Sequence, residues 1–564
     1  MDFLENYKVW SKAALSNEEK AELRTIADDV EEIKSRFGKE LSFGTAGMRG
    51  IMGIGSNRLN RHTVRRAALG MAAWLRGTDL PQKAAIGYDS RHNSQLFAEV
   101  CATAFAENGI SVYLYDRLAP TPMLSYAVRE LSCGCGIVIS ASHNSGEYNG
   151  VKCYGPDGCQ MTDAPAAVVT AEIQKVPYFK ESTKNFEEYI RAGSIRYIEQ
   201  YLWERYYATV LEEAVSPQLC KMANLNVVYT PLCGTGNEPV REVLGRLGVC
   251  VHVVESQEHP DGDFKTCEYP NPETDAALLE SYKTAASVNC DVILGTDPDC
   301  DRVAIAIPEK GSYRKLSGNE LGCLLLDYIL RARAKLNNIP EGAIAVRSIV
   351  STPLADRIAE SYGIEMKAVL TGFKYIGGEI LALEERGEKE KYIFGFEESC
   401  GYLKGTYARD KDAVVASMLV CEMAAELKLQ GKTILDALDE IYEKFGYYLA
   451  KVRSVELKGA DAMEKAAAMM ANLRNVVPET IAGIQVTQVR DYKTGISRDV
   501  ETGEVSRILL PKSDVLEFIL GKFGSVIVRP SGTEPKVKFY YTAIGESEIL
   551  AEKLLIKMEE QMEQ

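Results

Sequence analysis

The chain has few histidines, no paired cysteine motif, no excess of positive charge and no long apolar run, and each shortage closes off a class of function. Only five His stand among 564 residues, and the 14 Cys are scattered singly, with Cys133 and Cys135 the nearest together and no Cys-x-x-Cys anywhere. That pattern argues against a zinc centre and for buried thiols in a reducing compartment. With 65 Lys+Arg against 80 Asp+Glu the formal net charge is -15. Such an acidic chain is a poor non-specific partner for nucleic acid or for an anionic membrane surface, and an anionic substrate would need a local basic pocket set against the global field. No apolar run is long enough to cross a bilayer, and the opening MDFLENYKVW has no basic segment ahead of an apolar core. The expected location is cytoplasmic.

What is present is an ordinary globular composition, 46% hydrophobic and 26% charged. At this length one core does not suffice, so three to five domains are expected. Residues 1 to about 40 read as a charged, helical surface extension. LSFGTAGMRGIMGIG (41–55) reads as a glycine-rich loop whose amides, with Thr45 and Arg49, suit an anion, although its spacing matches neither the dinucleotide nor the P-loop pattern. A unit of apolar strand, polar turn, amphipathic helix, glycine and second strand then occurs three times, at 84–116, 225–254 and 342–370. Three copies predict three similar α/β domains with mixed, largely parallel sheets, whose ligand loops follow the carboxyl ends of the strands. From about 446 the pattern changes to short alternating strands, a hairpin-prone VETGEVS and a closing amphipathic helix at 546–564, which predicts a fourth, α+β domain. The expected divisions are 1–210, 211–322, 323–445 and 446–564.

Five stretches carry chemistry. In GIVISASHNSGEYNG (136–150) a buried strand breaks into small polar residues, a place to present the Ser142 hydroxyl beside His143, with Gly146 and Gly150 turning the backbone. In DVILGTDPDCDRV (291–303) a strand delivers Asp297, Asp299 and Asp301, which in an extended loop would share one side and converge on a hard divalent cation. An EF-hand reading fails, because its sixth and twelfth positions are Arg302 and Pro308. A phosphatase with aspartate as nucleophile fits Asp299-Cys300-Asp301 loosely and stays open. VIVRPSGTEPKVKFYY (526–541) places Arg529, Ser531, Gly532, Thr533 and Lys538 around a turn between strands, the donor set a phosphate dianion requires. Lys374 in LTGFKYIGGE and the pair Glu397 and Ser399 in FGFEESCGYLKG complete the set, the latter two able to grip sugar hydroxyls.

Taken in order, FGTAGMRG, SASHNSGEYNGVK, GTDPDCDR, GFKYIGG, GFEESCGY and RPSGTEPKVKFY resemble the α-D-phosphohexomutase family of phosphoglucomutases and phosphomannomutases over nearly the whole chain. The length, PDGDFKTCEYPNPE and RDKDAV make it most similar to the longer phosphoglucomutase branch, which includes phosphopentomutase and glucose-1,6-bisphosphate synthase. The resemblance implies an intramolecular phosphotransferase that interconverts hexose 1-phosphate and hexose 6-phosphate, with glucose the leading substrate and mannose or a pentose the alternatives. It further implies that Ser142 is phosphorylated in the resting enzyme, that Asp297, Asp299, Asp301 and a phosphoserine oxygen hold Mg²⁺, and that glucose 1,6-bisphosphate is the intermediate. Arg49 and Arg302 would border the phosphoserine, Arg529, Ser531, Gly532, Thr533 and Lys538 the substrate phosphate, and Glu397 and Ser399 the sugar, with Thr45 a further substrate-binding residue. His143 and Lys374 would manage protons. A small sugar phosphate would be the only partner, in a monomer or homodimer. The chain departs from the family pattern at Ser140, where Thr is usual, at Ser145, where Pro is usual, and at Tyr402, where some members have His.

Overall fold

The computed structural model describes residues 2–44, 47–457, 462–531 and 536–562, so the candidate residues Thr45, Gly532 and Thr533 lie outside it. The chain divides into two units, one of residues 1–318, 376–394 and 399–430 and the other of residues 319–375, 395–398 and 431–564.

In the first unit, β1 (Gly47–Ile51), β2 (Lys83–Tyr88), β3 (Ser111–Leu114), β4 (Cys135–Ile139), β5 (Tyr148–Tyr154) and β6 (Ile195–Tyr197) form a sheet in the order β1-β5-β4-β2-β3-β6. A second sheet joins β7 (Asn226–Thr230), β8 (Cys250–Val253), β9 (Val292–Thr296), β10 (Val303–Glu309) and β11 (Ser312–Lys315) in the order β11-β10-β9-β7-β8. Both are mixed. Their inner pairs β2–β4, β2–β3, β7–β9 and β7–β8 are parallel, while β5, β1, β10 and β11 add antiparallel edges. In the second unit β12 (Ile344–Ser348) and β13 (Glu365–Val369) form a parallel pair, and β14 (Tyr392–Glu397) and β15 (Gly401–Leu403) come next along the chain.

The thrice-repeated unit folds as the sequence predicts. Helices Ser94–Glu107, Asn237–Arg246 and Leu354–Ser361 each connect a parallel pair, β2–β3, β7–β8 and β12–β13. Each helix ends at a glycine, Gly109, Gly248 or Gly363, with φ of 78, 77 and 72°, the left-handed cap that lets the chain reverse into the next strand.

The C-terminal part of the second unit is of the α+β type. β16 (Tyr447–Glu456) comes first and a short hairpin, β17 (Thr480–Ile481) and β18 (Ile484–Gln485), follows it. Then come β19 (Gln488–Asp491), β20 (Ile496–Asp499), β21 (Val505–Arg507), β22 (Leu516–Ile519), β23 (Gly524–Pro530) and β24 (Lys536–Gly545). Apart from the hairpin they make an antiparallel sheet, β16-β24-β23-β22-β19-β20-β21, with helix Glu548–Met562 packed on it. The VETGEVS segment is the β20–β21 hairpin.

Two expectations change. The N-terminal helices Phe3–Ser11, Asn17–Thr25 and Val30–Phe37 are more than a surface extension: Trp10, Leu23, Ile33 and Phe37 bury a small core of their own with Ile54, and Glu19 pairs with Arg61. The glycine-rich stretch is a loop only in part, because residues from Gly47 onward form β1. Among the described residues no helix is long and apolar enough to cross a membrane. Twelve of the fourteen cysteines are buried and all are free thiols.

Gly150, expected to turn the chain, lies within β5 opposite Arg49 of β1. Its use is close approach: a Cβ there would sit 2.6 Å from the Ser140 carbonyl oxygen and 2.8 Å from that of Met48, both backbone atoms. Gly150→Ala is therefore expected to lower unfolding free energy by about 1–3 kcal/mol, the usual cost of overpacking, read from the denaturant midpoint. An unchanged midpoint would contradict this account of the strand packing.

Candidate active site

The serine loop follows the carboxyl end of β4, next to the loop that follows its parallel neighbour β2. Ser142 has φ of 52°, a left-handed conformation that a side chain adopts only where the surroundings hold it, and such residues gather at functional sites. Arg91, from the β2 loop, does the holding. Its guanidinium donates to the carbonyl oxygens of Ser142, Asn144, Ser145 (2.6 Å) and Tyr148 (2.9 Å), while its Nε lies 3.3 Å from the buried carboxylate of Asp89. The Ser142 amide donates to Ser140 Oγ at 2.8 Å. Contrary to the sequence expectation, the Ser142 hydroxyl is buried rather than exposed.

The Ser142 hydroxyl donates to Asp297 Oδ2 at 2.7 Å and lies 3.2 Å from His143 Nδ1. Burial, with Arg302 and Arg49 nearby, pushes the His143 imidazole well below its ordinary pKa, so it is neutral at pH 7. Arg49 reaches the same loop through Asn144 Oδ1 (2.8 Å), and Arg302 is held by Glu273 (2.6 Å).

Asp297, Asp299 and Asp301 are all buried, with one oxygen of each within 4.8 Å of the others. They converge through a turn and not through an extended loop: Cys300 has φ of 54°, and Asp297 Oδ1 accepts from the amides of Asp301 (3.1 Å) and Arg302 (3.0 Å). Two buried lysines meet them. Lys152 of β5 donates to Asp299 and to Asp301 (3.1 Å), Lys411 lies 3.2 Å from Asp301 and 3.0 Å from Asp410, and Thr121 donates to Asp299 at 2.6 Å. Burial and its two carboxylate neighbours push Asp297 well above the usual carboxylate range. Burial presses the same way on Asp299 and Asp301, but Lys152, joined at Asp301 by Lys411 and Arg302, outweighs it and both fall below that range. Asp299 Oδ1 and Asp301 Oδ1 are buried without a hydrogen-bond partner among the described residues. Oxygen-only donors with two unused buried lone-pair sites suit a hard divalent cation.

Of the other candidates, Ser399 is half-buried in the first unit, and the next residue's carbonyl accepts from Val303 of β10 (3.0 Å). In the second unit the Gly372 amide donates to the buried Glu397 carboxylate at 2.7 Å, and Lys374, two residues on, lies in the first turn of helix Phe373–Glu385. Half-buried Arg529 of β23 is in register with exposed Lys538 of β24, and the Ser531 amide donates to the Lys536 carbonyl at 2.8 Å. Sequence reasoning did not single out Lys152, Lys411, Asp410, Thr121, Asp89 or Arg91. Lys152 closes the NGVK of the serine motif and the Asp410 pair lies inside RDKDAV, so both motifs held a signal. Arg91 and Asp89 sit in YDSRHN, where nothing but the strand ending before them marked the place.

Family models of phosphoglucomutase/phosphomannomutase match the chain in sequence: alpha/beta/alpha domain I at 40–178, domain II at 204–311, domain III at 317–445 and the C-terminal domain at 449–553. The chain belongs to the phosphoglucomutase/phosphomannomutase family. A phosphoglucomutase of Staphylococcus epidermidis is 36% identical over 528 residues, 93% of this chain and 94% of that protein. Among solved structures, the pp63/parafusin phosphoglucomutase of Paramecium in its open form superposes with a TM-score of 0.69 at 17% identity, over 94% of each chain. The N-acetylphosphoglucosamine mutase of Aspergillus fumigatus, solved with GlcNAc-6P and magnesium, superposes with a TM-score of 0.52 at 15% identity, covering 97% of this chain and 99% of that one. These two superpositions are likenesses of fold, shared across the phosphoglucomutase/phosphomannomutase family.

Because four loop carbonyls converge on one guanidinium, Arg91→Met is expected to free the serine loop. Amide hydrogen exchange across residues 140–148 should rise at least tenfold while exchange in β7 and β9 stays unchanged. Equal exchange in the two proteins would show that other contacts hold the loop.

Proposed function

We propose that the chain is a hexose-phosphate mutase that interconverts glucose 1-phosphate and glucose 6-phosphate through a phosphoserine at Ser142. The carrying observation is the Ser142 hydroxyl bonded to Asp297 within a buried carboxylate triad. The 36% identity to a protein named phosphoglucomutase supports glucose over mannose or a pentose. The reading places the reaction in the cytoplasm, on a small sugar phosphate, in a monomer or homodimer, and the sheets and family-model spans support domains at 1–210, 211–322, 323–445 and 446–564.

In the forward half-reaction a sugar hydroxyl attacks the phosphorus on Ser142, the Oγ–P bond breaks, and the hydroxyl proton leaves as Ser142 Oγ gains one. This gives glucose 1,6-bisphosphate. After the intermediate turns round, Ser142 Oγ gives up its proton and attacks the other phosphate, the sugar O–P bond breaks with its oxygen taking a proton, and the isomer departs. Such transfers depend on position and charge neutralisation. Arg91 fixes the serine backbone, and Arg49 and Arg302 meet the phosphoryl oxygens. His143, which is neutral, is assigned to proton movement at Ser142 Oγ, and Lys374 to proton movement at the sugar. Asp297, Asp299 and Asp301 with a phosphoserine oxygen would hold Mg²⁺, which when bound neutralises phosphoryl charge. Lys152 and Lys411 keep Asp299 and Asp301 ionised for it. Glu397 and Ser399 take sugar hydroxyls. Arg529, Ser531, Gly532, Thr533 and Lys538 hold the phosphate that is not reacting, and Thr45 is a further substrate-binding residue.

Phosphorus NMR of the protein with Mg²⁺, a trace of glucose 1,6-bisphosphate and equal glucose, mannose and ribose 1-phosphates is expected to show glucose 1-phosphate converted first. Growth of inorganic phosphate alone would favour a phosphatase. Ser142→Ala should cut turnover at least about 10⁴-fold and leave the melting temperature in place, and retained turnover would refute the nucleophile. Asp299→Asn should raise the Mg²⁺ concentration for half-maximal activity at least tenfold, and an unchanged requirement would remove the triad from the metal site.

A further inference from the structure

A cavity of about 310 Å³ in the second unit belongs to none of the residues used above. Its floor is the sheet of β19–β22, its roof the ends of β12 and β13. The floor is one row of directly opposed residues: Glu517 of β22 faces Arg490 of β19, Arg490 faces Ser497 of β20, and Ser497 faces Ser506 of β21. Opposed residues of an antiparallel pair point to the same side, so four polar side chains stand in one line under the cavity. Arg347 lines it from β12, its guanidinium donating two hydrogen bonds to the Asp356 carboxylate (2.6 and 2.7 Å) and others to the carbonyl oxygens of Ser348 and Ser351.

Two observations point to a ligand. Ser497 is 6% exposed, and its hydroxyl has no hydrogen-bond partner among the described residues. A buried hydroxyl left unpaired is costly and uncommon. Arg490 reaches its counter-ion Glu517 only at 3.5 Å, while Glu517 accepts a better bond from Tyr492 at 2.8 Å. Guanidinium donors of Arg490 thus remain in a space that also borders Arg347 and Arg507, in a chain whose net charge is -15.

We propose that this cavity binds a small phosphate ester. Guanidinium forks and hydroxyls suit phosphate oxygens, Glu517 offers an acceptor for a ligand hydroxyl, and the volume lies at the low end of small-molecule pockets. The site is distinct from the phosphate loop. Ser497 lies three strands from Arg529, about 14 Å at ordinary strand spacing. Ile527 is the next residue in the same row beyond Glu517, and with Val515, Tyr540, Ile349 and Leu370 it forms an apolar wall between the two.

The test is equilibrium dialysis of the full-length protein with radiolabelled orthophosphate, with glycerol 3-phosphate as competitor. The wild type is expected to bind two orthophosphates per chain. Arg490→Gln and Ser506→Asp should each weaken one site at least tenfold and leave the KM for glucose 1-phosphate unchanged. Arg529→Gln should weaken the other site, which tests the mutase reading separately. Glycerol 3-phosphate should displace label from the site that Arg490→Gln removes. Binding that is the same in wild type, Arg490→Gln and Ser506→Asp, or failure of glycerol 3-phosphate to compete there, overturns the proposal. Ser506 is exposed, so its variant keeps the test clear of any folding loss caused by breaking the Arg490 pair.

Discussion

Three carboxylates within 4.8 Å of one another, all out of water, are the constraint on which the first unit is arranged. Such a group repels itself strongly in a low-dielectric interior, so cations must be supplied. The chain supplies them from separate elements: Lys152 from the antiparallel strand beside the serine loop, Lys411 from the segment ahead of helix Ala413–Leu429, and Arg302 from the turn itself. Every one of these must be in place for the triad to be tolerated, which ties together distant parts of one sheet-bearing unit. Two carboxylate oxygens, Asp299 Oδ1 and Asp301 Oδ1, still have no hydrogen-bond partner among the described residues, which leaves oxygen donors that suit a hard cation.

The serine loop answers to the same arrangement. Ser142 gives its hydroxyl to the one carboxylate of the three that the lysines do not touch, and that carboxylate, Asp297, is pushed well above the usual range. The loop's left-handed turn is fixed by Arg91, whose own charge is balanced by Asp89. The backbone of the loop is thus held through its carbonyls, and the hydroxyl is held by a carboxylate. The two tasks fall to different residues.

Much of this was legible in the chain. The repeated strand, helix and glycine pattern foretold three parallel pairs, because a left-handed glycine cap and an apolar strand are local features. Ser142 and the three aspartates stood out for the same reason, each following an apolar strand. What sequence could not give was the neutralising charge. A lone lysine such as Lys152 inside a strand, or Arg91 in a loop, reads as a surface residue until folding brings a partner more than fifty residues away against it. The turn at Cys300 was likewise taken for extended chain, since residue type there does not announce a positive φ. The N-terminal helices were taken for decoration because Tyr178 and Phe179, which pack against their core, lie far along the chain.

Cys300 stands between two of the aspartates and is fully buried, which pushes its thiol far up from its ordinary pKa. In the folded protein electrophiles have Cys250 and, in part, Cys290 to react with. A thiol locked in the aspartate turn therefore acts as an internal clock: the rate at which it becomes alkylated counts the openings of that turn, with no label added and no substrate required.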